Sequence, residues 1–471
     1  MSFFTSFRKA WPLFTPFMLG LLLLTWYVRH NGFFWDSILL ASKYGQWYYQ
    51  TNFSTLFVPQ EMAGYPPLFG LYLAAGWHMF GKTVPVSHFL MLPFLLGIVW
   101  QVYLLSRRYL PLGWVWLGLL LALLDPTWLA QSTLVAPDIL LLFLYLLAVN
   151  SFLQEKRGLQ VLALLFMAVL SPRSQLLIPA VFLTEVLFWW LHSKQFRGLE
   201  VCKIMLPYVP AGLLLLGWLW LHYRHFGWIG YNRSSDWGAY SHFISGKEFL
   251  RNLGLMAWRL LDFGRVGLWL LVAVLLWQSR QFLSTKTKEL LVLMLVPLVT
   301  LSLVLVWFTN PIGHRYYLVV YVFLGILSAS LLAYHTRAFA RKAAIAVAVL
   351  SLLSGHFWQY PATVAKGWDA SLAYLPYFSI RKQMMTYLDQ EQIAWQEVGS
   401  DFPNLAAPAF TDLSHDQRAF APKDFASQRY MLHSNVFNGF TDQELLALEN
   451  HWRLVKEVKQ GQVFFRLYTK K

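Results

Sequence analysis

Cysteine and charged residues are both scarce in this chain. The sequence has 471 residues and one cysteine, Cys202, which excludes a disulfide within the chain. No group of cysteines and histidines has the spacing of a structural zinc site. Only 13% of the residues are charged, whereas 57% are hydrophobic. This balance is too apolar for a single soluble domain.

The basic residues are not gathered into one block. The net charge is +15, but no lysine- and arginine-rich run of the kind that binds nucleic acid is present. We therefore expect no nucleic-acid partner. The sequence also has no internal repeat, no low-complexity segment and no pair of interrupted helices in matching halves. The last pattern is typical of many transporters.

Long apolar runs recur from residue 11 to about residue 358. Runs of this length predict an α-helical polytopic membrane protein with about 11 transmembrane helices. The first run follows Arg8 and Lys9 but is too long for a signal peptide and lacks a cleavage site, so it is predicted to be a retained span. The predicted spans are about 11–28, 87–105, 112–130, 138–154, 158–170, 174–191, 203–222, 264–278, 288–308, 316–334 and 341–358.

Residues 66–80 are apolar but short, which indicates an interfacial or re-entrant segment. If this segment does not cross, the basic clusters beside the spans fall on the side of the N-terminus, as expected for cytoplasmic loops. The loops 29–86 and 223–263 and the tail then face outward. The clusters are Arg107-Arg108, Lys156-Arg157, Lys194 with Arg197 and Lys203, Arg280 with Lys286 and Lys288, and Arg337 with Arg341-Lys342.

The last part of the chain differs in composition from the rest. After about residue 358 the apolar runs stop and acids, Asn, Gln and His become frequent. Thr441 and Glu444 form a predicted capping box, and the alternating residues around Gln460-Gly461 predict a β-hairpin. The segment FSIRKQMMTYLDQ predicts an amphipathic helix. We therefore predict a membrane domain at 1–358 and a small α/β extracytoplasmic, or periplasmic, domain at 359–471.

Three acids are candidates for chemistry. Asp36 follows the first span in NGFFWDSILLASKYGQWYYQ, where a solvated loop acid is the alternative interpretation. Asp138 begins a strongly apolar helix after Pro137, where it could simply cap the helix. The predicted topology places both acids at the same depth on the outer side, as a shared site requires. Asp125 lies deeper in the membrane, and a buried ionisable group there usually faces protein or a water-filled cavity, so it could line the site.

Basic residues occur at two outer turns, Arg173 at one and His314 with Arg315 at the other. Membrane insertion does not require positive charge on this side. A lone arginine at an interface usually anchors to lipid headgroups. Two such turns that face two acids would instead form a pocket for a phosphate and a hydroxyl group.

These landmarks resemble a known family. The order is an acid after the first span, a loop helix, the GYPPLFGLYLAAGWHMF segment, then ALLDPTWLAQSTLVAPDILLLFLYLLAV, LSPRSQLL and HRYYLVV. Together they are similar to the membrane region of the type C glycosyltransferases, in the branch of protein O-mannosyltransferases and aminoarabinose transferases. The resemblance covers most of residues 10–335. It implies an active site on the outer face of the cytoplasmic membrane and a sugar donor linked to a polyprenyl phosphate.

The resemblance assigns roles to named residues. It implies that Asp36 and Asp138 are the acids of the site, that Arg173 is its basic turn, and that Arg315 and Tyr316 are its Arg-Tyr pair, with Tyr316 as a candidate lining residue. The chain departs from the family pattern at two places. Gly64-Tyr65 stands where the aminoarabinose branch has Glu-Lys, which argues against aminoarabinose transfer and leaves Tyr65 as a candidate lining residue. Trp35 stands where the mannosyltransferases have a second acid.

The expected chemistry is a direct, inverting displacement. Asp36 would take the proton of an acceptor hydroxyl, and Arg173, His314 and Arg315 would meet the charge that develops on the leaving phosphate. The acceptor could be a lipid, a glycan or a protein, and a bound divalent metal stays open. Two alternatives remain: a transporter or flippase of lipid-linked sugars, and an outer-face polymerase or ligase of lipid-linked glycans.

Overall fold

The computed structural model describes residues 3–193, 198–230, 242–280, 283–309, 312–335, 338–361, 364 and 366–471, with side chains from residue 11 except at 335, 338 and 339. Lys194, Arg197 and Arg337, which carry part of the predicted sidedness, lie outside these residues. The helices of the membrane region are Phe3–Val28, Tyr44–Gln50, Leu68–Phe80, Val84–Tyr109, Val115–Leu123, Pro126–Ser132, Pro137–Leu153, Arg157–Ala168, Ser174–Ser193, Gly198–Met205, Val209–Phe226, Gly246–Leu261, Arg265–Ser279, Thr285–Leu305, Leu318–His335 and Ala338–Ser354.

Six helices of the described chain are long and apolar enough to cross a membrane, or up to eight if two bent pairs each count as one span. The fold class of a polytopic helical membrane protein is therefore confirmed. The predicted number of about 11 spans is not confirmed. Predicted spans at 138–154 and 158–170 correspond to helices Pro137–Leu153 and Arg157–Ala168, which have 17 and 12 residues.

The predicted span at 112–130 is broken in the middle. Its two parts, Leu112–Leu123 and Pro126–Ser132, meet at 72°. Asp125 causes the break because its side chain accepts hydrogen bonds from the backbone N–H groups of Thr127 and Trp128 and so starts a new helix. Pro126 follows at the first helical position, where its missing N–H costs nothing. A second bend of 88° separates Gly246–Leu261 from Arg265–Ser279.

The loop after the first helix is itself helical, as its residue spacing predicts. It begins with a π-helical turn at Ile38–Lys43 and continues as the α-helix Tyr44–Gln50. Ile38, Ala41 and Tyr44 are buried. Helix Leu68–Phe80 packs against this loop and has 13 residues, too few to cross a bilayer on its own.

The C-terminal region forms a five-stranded mixed sheet, which confirms the predicted α/β domain type. The strands are β1 (Val398–Ser400), β2 (Ala421–Pro422), β3 (Tyr430–Ser434), β4 (Trp452–Gln460) and β5 (Val463–Lys470), in the order β2-β1-β3-β5-β4. The hairpin between β4 and β5 turns at Gly461, which has a positive φ of 58°. Helix Tyr377–Gln390 is present, and helix Asp442–His451 starts with the predicted capping box.

The C-terminal region packs directly on the loop after the first helix. The Phe33 N–H donates to the Thr411 carbonyl at 2.7 Å. At Gly32 the two backbones approach so closely that a Cβ atom would lie 2.4 Å from the same carbonyl oxygen. The Ser42 hydroxyl also donates to the Phe410 carbonyl at 2.6 Å. These contacts connect the loop that carries Asp36 to the last domain of the chain.

Candidate active site

Arg315 is the centre of a cluster of charged side chains that come from five separate parts of the sequence. Its Nη2 group donates to Asp36 Oδ2, and its Nη1 group donates to Asp369 Oδ2 at 2.6 Å. Its Nε lies 3.9 Å from Asp138 Oδ2, beyond hydrogen-bond distance, and is buried without a hydrogen-bond partner among the described residues. The guanidinium group thus faces three carboxylates, and its Nε–H is an unused donor.

Arg173 completes this group, which we call the Arg315 cluster: Asp36, Asp138, Asp369, Arg173 and Arg315. The Nη1 group of Arg173 donates to Asp138 Oδ1, so Asp138 lies between the two arginines. Tyr316 lies beside both, with its ring centroid 4.6 Å from Arg173 Cζ and 5.6 Å from Arg315 Cζ. Tyr65 is within electrostatic range of Arg173 and Tyr316. The structure therefore brings together six of the eight predicted site residues.

Local structure explains how each carboxylate reaches the cluster. Asp36 follows Trp35, whose φ of 53° lies in the left-handed region that a bulky side chain rarely adopts. Such strain is often retained at functional sites. Asp138 stands in the first turn of helix Pro137–Leu153, after Pro137 at its start. Asp369 stands on the short 3₁₀-helix Trp368–Ala370, which packs on helix Pro126–Ser132.

The Arg315 cluster carries an excess of negative charge. Two guanidinium groups face three carboxylates, which leaves one negative charge without a cationic partner inside the cluster. The carboxylates differ in burial: the Asp36 side chain is 16% exposed, the Asp369 side chain 10% and the Asp138 side chain 3%. Asp36 is therefore the acid that water or a substrate reaches most easily.

Asp125 does not join this cluster, although the sequence suggested it as a lining residue. Its carboxylate receives two hydrogen bonds from Arg265, from Nε at 2.6 Å and from Nη2 at 3.0 Å. The Arg265 side chain is 0% exposed and lies over the ring of Tyr321. The pair connects the break before Pro126 to the break before Arg265, because each partner lies at one of the two bends. A closed bidentate pair of this kind satisfies the polar groups that broken helices leave in a membrane.

His314 also lies elsewhere than predicted. Its Nε2 is 2.7 Å from Asp262 Oδ2, and its ring packs on Phe263, so it does not face the Arg315 cluster. Asp262 receives a further hydrogen bond from the Tyr360 hydroxyl. His314 and Arg315 face different clusters because neighbouring side chains on the 3₁₀-helix His314–Tyr317 point in different directions. Nη1 of Arg259 lies 3.8 Å from Asp262 Oδ2 and has no hydrogen-bond partner among the described residues. We call Asp125, Asp262, Arg259, Arg265 and His314 the Arg265 cluster.

Lys366 lies near the Arg265 cluster at the start of the C-terminal region. Its ammonium group donates to the Trp358 carbonyl at 2.9 Å and to Gln462 Oε1 at 2.5 Å. Burial lowers the pKa of Lys366 to about 8, although the Asp262 carboxylate acts in the opposite direction. These hydrogen bonds connect the end of the last membrane helix to the β4–β5 hairpin.

Sequence reasoning missed Asp369. It lies in the tail that the composition assigns to a separate outer domain, in a stretch without helical or strand periodicity. The one available signal is its position shortly after the last apolar run, near the membrane surface. Within the described residues, no group of three or more His, Cys, Asp or Glu side chains has an arrangement suited to a metal ion.

No protein-family model and no curated protein matches the chain. The arrangement of its membrane helices and C-terminal domain is nevertheless similar to that of solved ArnT structures, which confirms the predicted resemblance at the level of the fold.

Two crystal structures of ArnT from Cupriavidus metallidurans are similar to this chain. The structure bound to undecaprenyl phosphate has a TM-score of 0.55 at 12% identity and covers 96% of this chain and 97% of its own. The apo structure has a TM-score of 0.52 at 13% identity, with 98% of each chain covered. At such identity the likeness concerns the fold alone.

Proposed function

We propose that the protein is an integral-membrane glycosyltransferase of the outer face of the cytoplasmic membrane. It transfers a sugar from a polyprenyl-phosphate-linked donor to an acceptor hydroxyl with inversion at the anomeric carbon. The observation that carries this proposal is the Arg315 cluster, in which a partly exposed carboxylate and an arginine fork meet at one end of a type C glycosyltransferase fold. The undecaprenyl phosphate in the ArnT crystal structure is consistent with such a donor.

The proposed reaction needs one base and one set of cations. The acceptor oxygen forms a bond to the anomeric carbon while the bond from that carbon to the phosphate oxygen breaks. The acceptor proton passes to Asp36, and the electron pair of the broken bond stays on the departing polyprenyl phosphate. Arg315 and Arg173 stabilise the charge that grows on the phosphate. Asp138, between the two arginines, holds them in place and is a poor candidate for the base because its side chain is only 3% exposed.

A second candidate function, transport of lipid-linked sugars, has weaker support. Transporters commonly bind substrate at interrupted helices near the membrane centre. The described part of the chain has two interrupted helix pairs, but their breaks are occupied by the Asp125–Arg265 pair, and Arg265 is 0% exposed. The polar groups at these breaks therefore bind each other and do not line an open cavity.

Release of polyprenyl phosphate tests the transferase proposal directly. Purified protein in detergent is incubated with a polyprenyl-phosphate sugar and an extract of membrane lipids, glycans and proteins as acceptors. A transferase converts the donor to polyprenyl phosphate and labels an acceptor, and Asp36→Asn serves as the control. Absence of release with every acceptor, together with donor translocation in vesicles, would support transport instead.

The proposed sidedness is tested by labelling single cysteines in intact cells. Gly158→Cys and Gln390→Cys are each made in a Cys202→Ser background, because the native cysteine is exposed. A Cβ atom at Gly158 meets no other atom within 4 Å, and Gln390 is exposed, so both variants should fold. We expect an impermeant thiol reagent to label residue 390 and not residue 158. The reverse pattern would place the Arg315 cluster on the cytoplasmic face.

A further inference from the structure

The C-terminal region contributes an acid to the centre of the proposed site. Asp369 binds Nη1 of Arg315 while Asp36 binds Nη2, so both ends of the guanidinium fork are already occupied by carboxylates. A donor phosphate that uses this fork must displace at least one of them. The environments of the two acids indicate which one leaves.

Asp369 is firmly held. Gln131 Nε2 donates to its carbonyl oxygen at 2.9 Å and to its Oδ2 at 3.2 Å. The same short helix is fixed at Ala370, whose carbonyl oxygen accepts a hydrogen bond from the Thr127 hydroxyl at 3.3 Å. Trp368, on its other side, donates to the Asn435 carbonyl at 2.8 Å. Displacement of Asp369 would break several of these contacts together.

Asp36 is less constrained. Among the described residues its carboxylate has no hydrogen bond other than the one from Arg315, and its side chain is the most exposed of the three acids. A released Asp36 can therefore remain charged in contact with water. The exchange is also neutral in charge, because a glycosyl phosphodiester carries one negative charge, as the carboxylate does. No extra charge has to be buried when one monoanion replaces the other.

We infer that Asp369 is a positioning residue that holds Arg315 through Nη1 while the donor phosphate replaces Asp36 at Nη2. Donor binding then frees the proposed base at the moment when the sugar arrives. Asp369 touches neither sugar nor acceptor, and it acts through the orientation of the guanidinium group. This inference rests on the proposed function, since it assumes that a phosphodiester is the ligand of Arg315.

The two acids are predicted to have opposite effects on phosphate binding. The probe is a fluorescent polyprenyl methyl phosphate, a monoanionic phosphodiester without a sugar, titrated onto purified protein in detergent. Asp36→Asn removes the competing carboxylate, so we expect the probe to bind more tightly, on the order of tenfold. Asp369→Asn removes the anchor, so we expect binding to weaken by a similar factor, with Asp369→Glu closer to wild type.

Asp389→Asn is the matched control. Asp389 also binds an arginine of the C-terminal domain, Arg418, at 2.7 Å, but on the exposed surface away from the cluster. We expect its probe affinity to equal that of the wild type. If Asp369→Asn does not fold, Asp369→Ser is tested with the same expectation.

The outcomes separate the inference from the proposed function. Tighter binding by Asp369→Asn, or unchanged binding, would mean that Asp369 is a competitor or a bystander, and the inference would fail. Weaker binding by Asp36→Asn would also overturn it. If the wild-type protein binds neither the probe nor a polyprenyl-phosphate sugar, the proposed function itself fails. In turnover assays the anchor role predicts that Asp369→Asn raises the donor KM more than it lowers kcat, whereas a loss of folded protein would leave KM unchanged.

Discussion

The structure has two clusters of aspartate and arginine side chains that lie next to each other. His314 belongs to the Arg265 cluster, and the next residue, Arg315, belongs to the Arg315 cluster. The Arg265 cluster contains two aspartates and two arginines, so its charges balance if His314 is neutral. Its Asp262, Arg265 and His314 side chains are at most 1% exposed. The Arg315 cluster has one carboxylate in excess, and its Asp36 side chain is 16% exposed. Arg259 and Arg315 each have one guanidinium nitrogen without a hydrogen-bond partner among the described residues, so the clusters differ in charge and not in unused donors.

This difference in charge distinguishes a cluster with a structural role from one with a role in the proposed reaction. A charge-balanced cluster has no net charge to offer a substrate, and the Arg265 cluster stabilises two broken helices. The Arg315 cluster keeps one carboxylate that no cation of the cluster neutralises, and its Asp36 is the acid that a substrate reaches most easily. Aspartate and arginine therefore stabilise the fold in one cluster and serve the proposed reaction in the other, and the following variants test this contrast.

The largest effect is expected at Asp36. Asp36→Asn is nearly isosteric and removes the proton acceptor, so turnover should fall by about 10²–10⁴-fold, the usual contribution of a positioned base. Single-turnover transfer, normalised to folded protein, measures this. The thermal unfolding midpoint should change little because the side chain is partly exposed. Turnover near the wild-type rate would mean that Asp36 is only a solvated loop acid and not the base.

Arg265→Met should act on stability instead. It leaves Asp125 buried without its cation, which costs about 3–5 kcal/mol. The double variant Asp125→Asn/Arg265→Met should recover much of this loss, because no unpaired charge remains and asparagine still caps helix Pro126–Ser132. Thermal unfolding in detergent compares the three proteins. A loss of turnover per folded molecule without a loss of stability would give the Arg265 cluster a part in the chemistry.

Arg315→Lys tests the arginine fork. A lysine keeps the charge but cannot bind two oxygens in one plane. We expect transfer to slow on the order of tenfold, equal to about 1.4 kcal/mol, and Arg315→Ala to be slower still. A fluorescent polyprenyl-phosphate sugar in single-turnover mode gives the rates. Equal rates for Arg, Lys and Ala would make Arg315 a headgroup anchor.

His314→Gln should have the smallest effect. The glutamine amide nitrogen lies about as far from Cβ as Nε2 of histidine does and can still donate to Asp262, so we expect a loss of about 1 kcal/mol in stability and an unchanged donor KM. The sequence pattern predicts the opposite, because it places His314 on the phosphate. A clear increase in donor KM would instead support the sequence-based prediction that His314 binds the donor phosphate.

The sequence by itself determined the class of fold. Apolar runs require membrane helices because unsatisfied backbone groups are expensive in lipid, and the change of composition after residue 358 predicts the outer α/β region. Turn chemistry with short-range causes was also predictable, including the Thr441 capping box and the hairpin at Gly461. The family landmarks around Asp36, Asp138, Arg173 and Arg315 identified residues that the structure brings together.

Only the tertiary structure decided which charged side chains meet. Asp369 is separated from Asp36 by most of the chain, and no local pattern indicates that both would bind one guanidinium group. His314 and Arg315 are adjacent in sequence, yet they belong to different clusters because the turn directs their side chains apart. Asp125 could be recognised as a buried acid, but its partner Arg265 lies on a distant helix. Ion pairs between distant segments depend on packing, which periodicity and propensity do not specify.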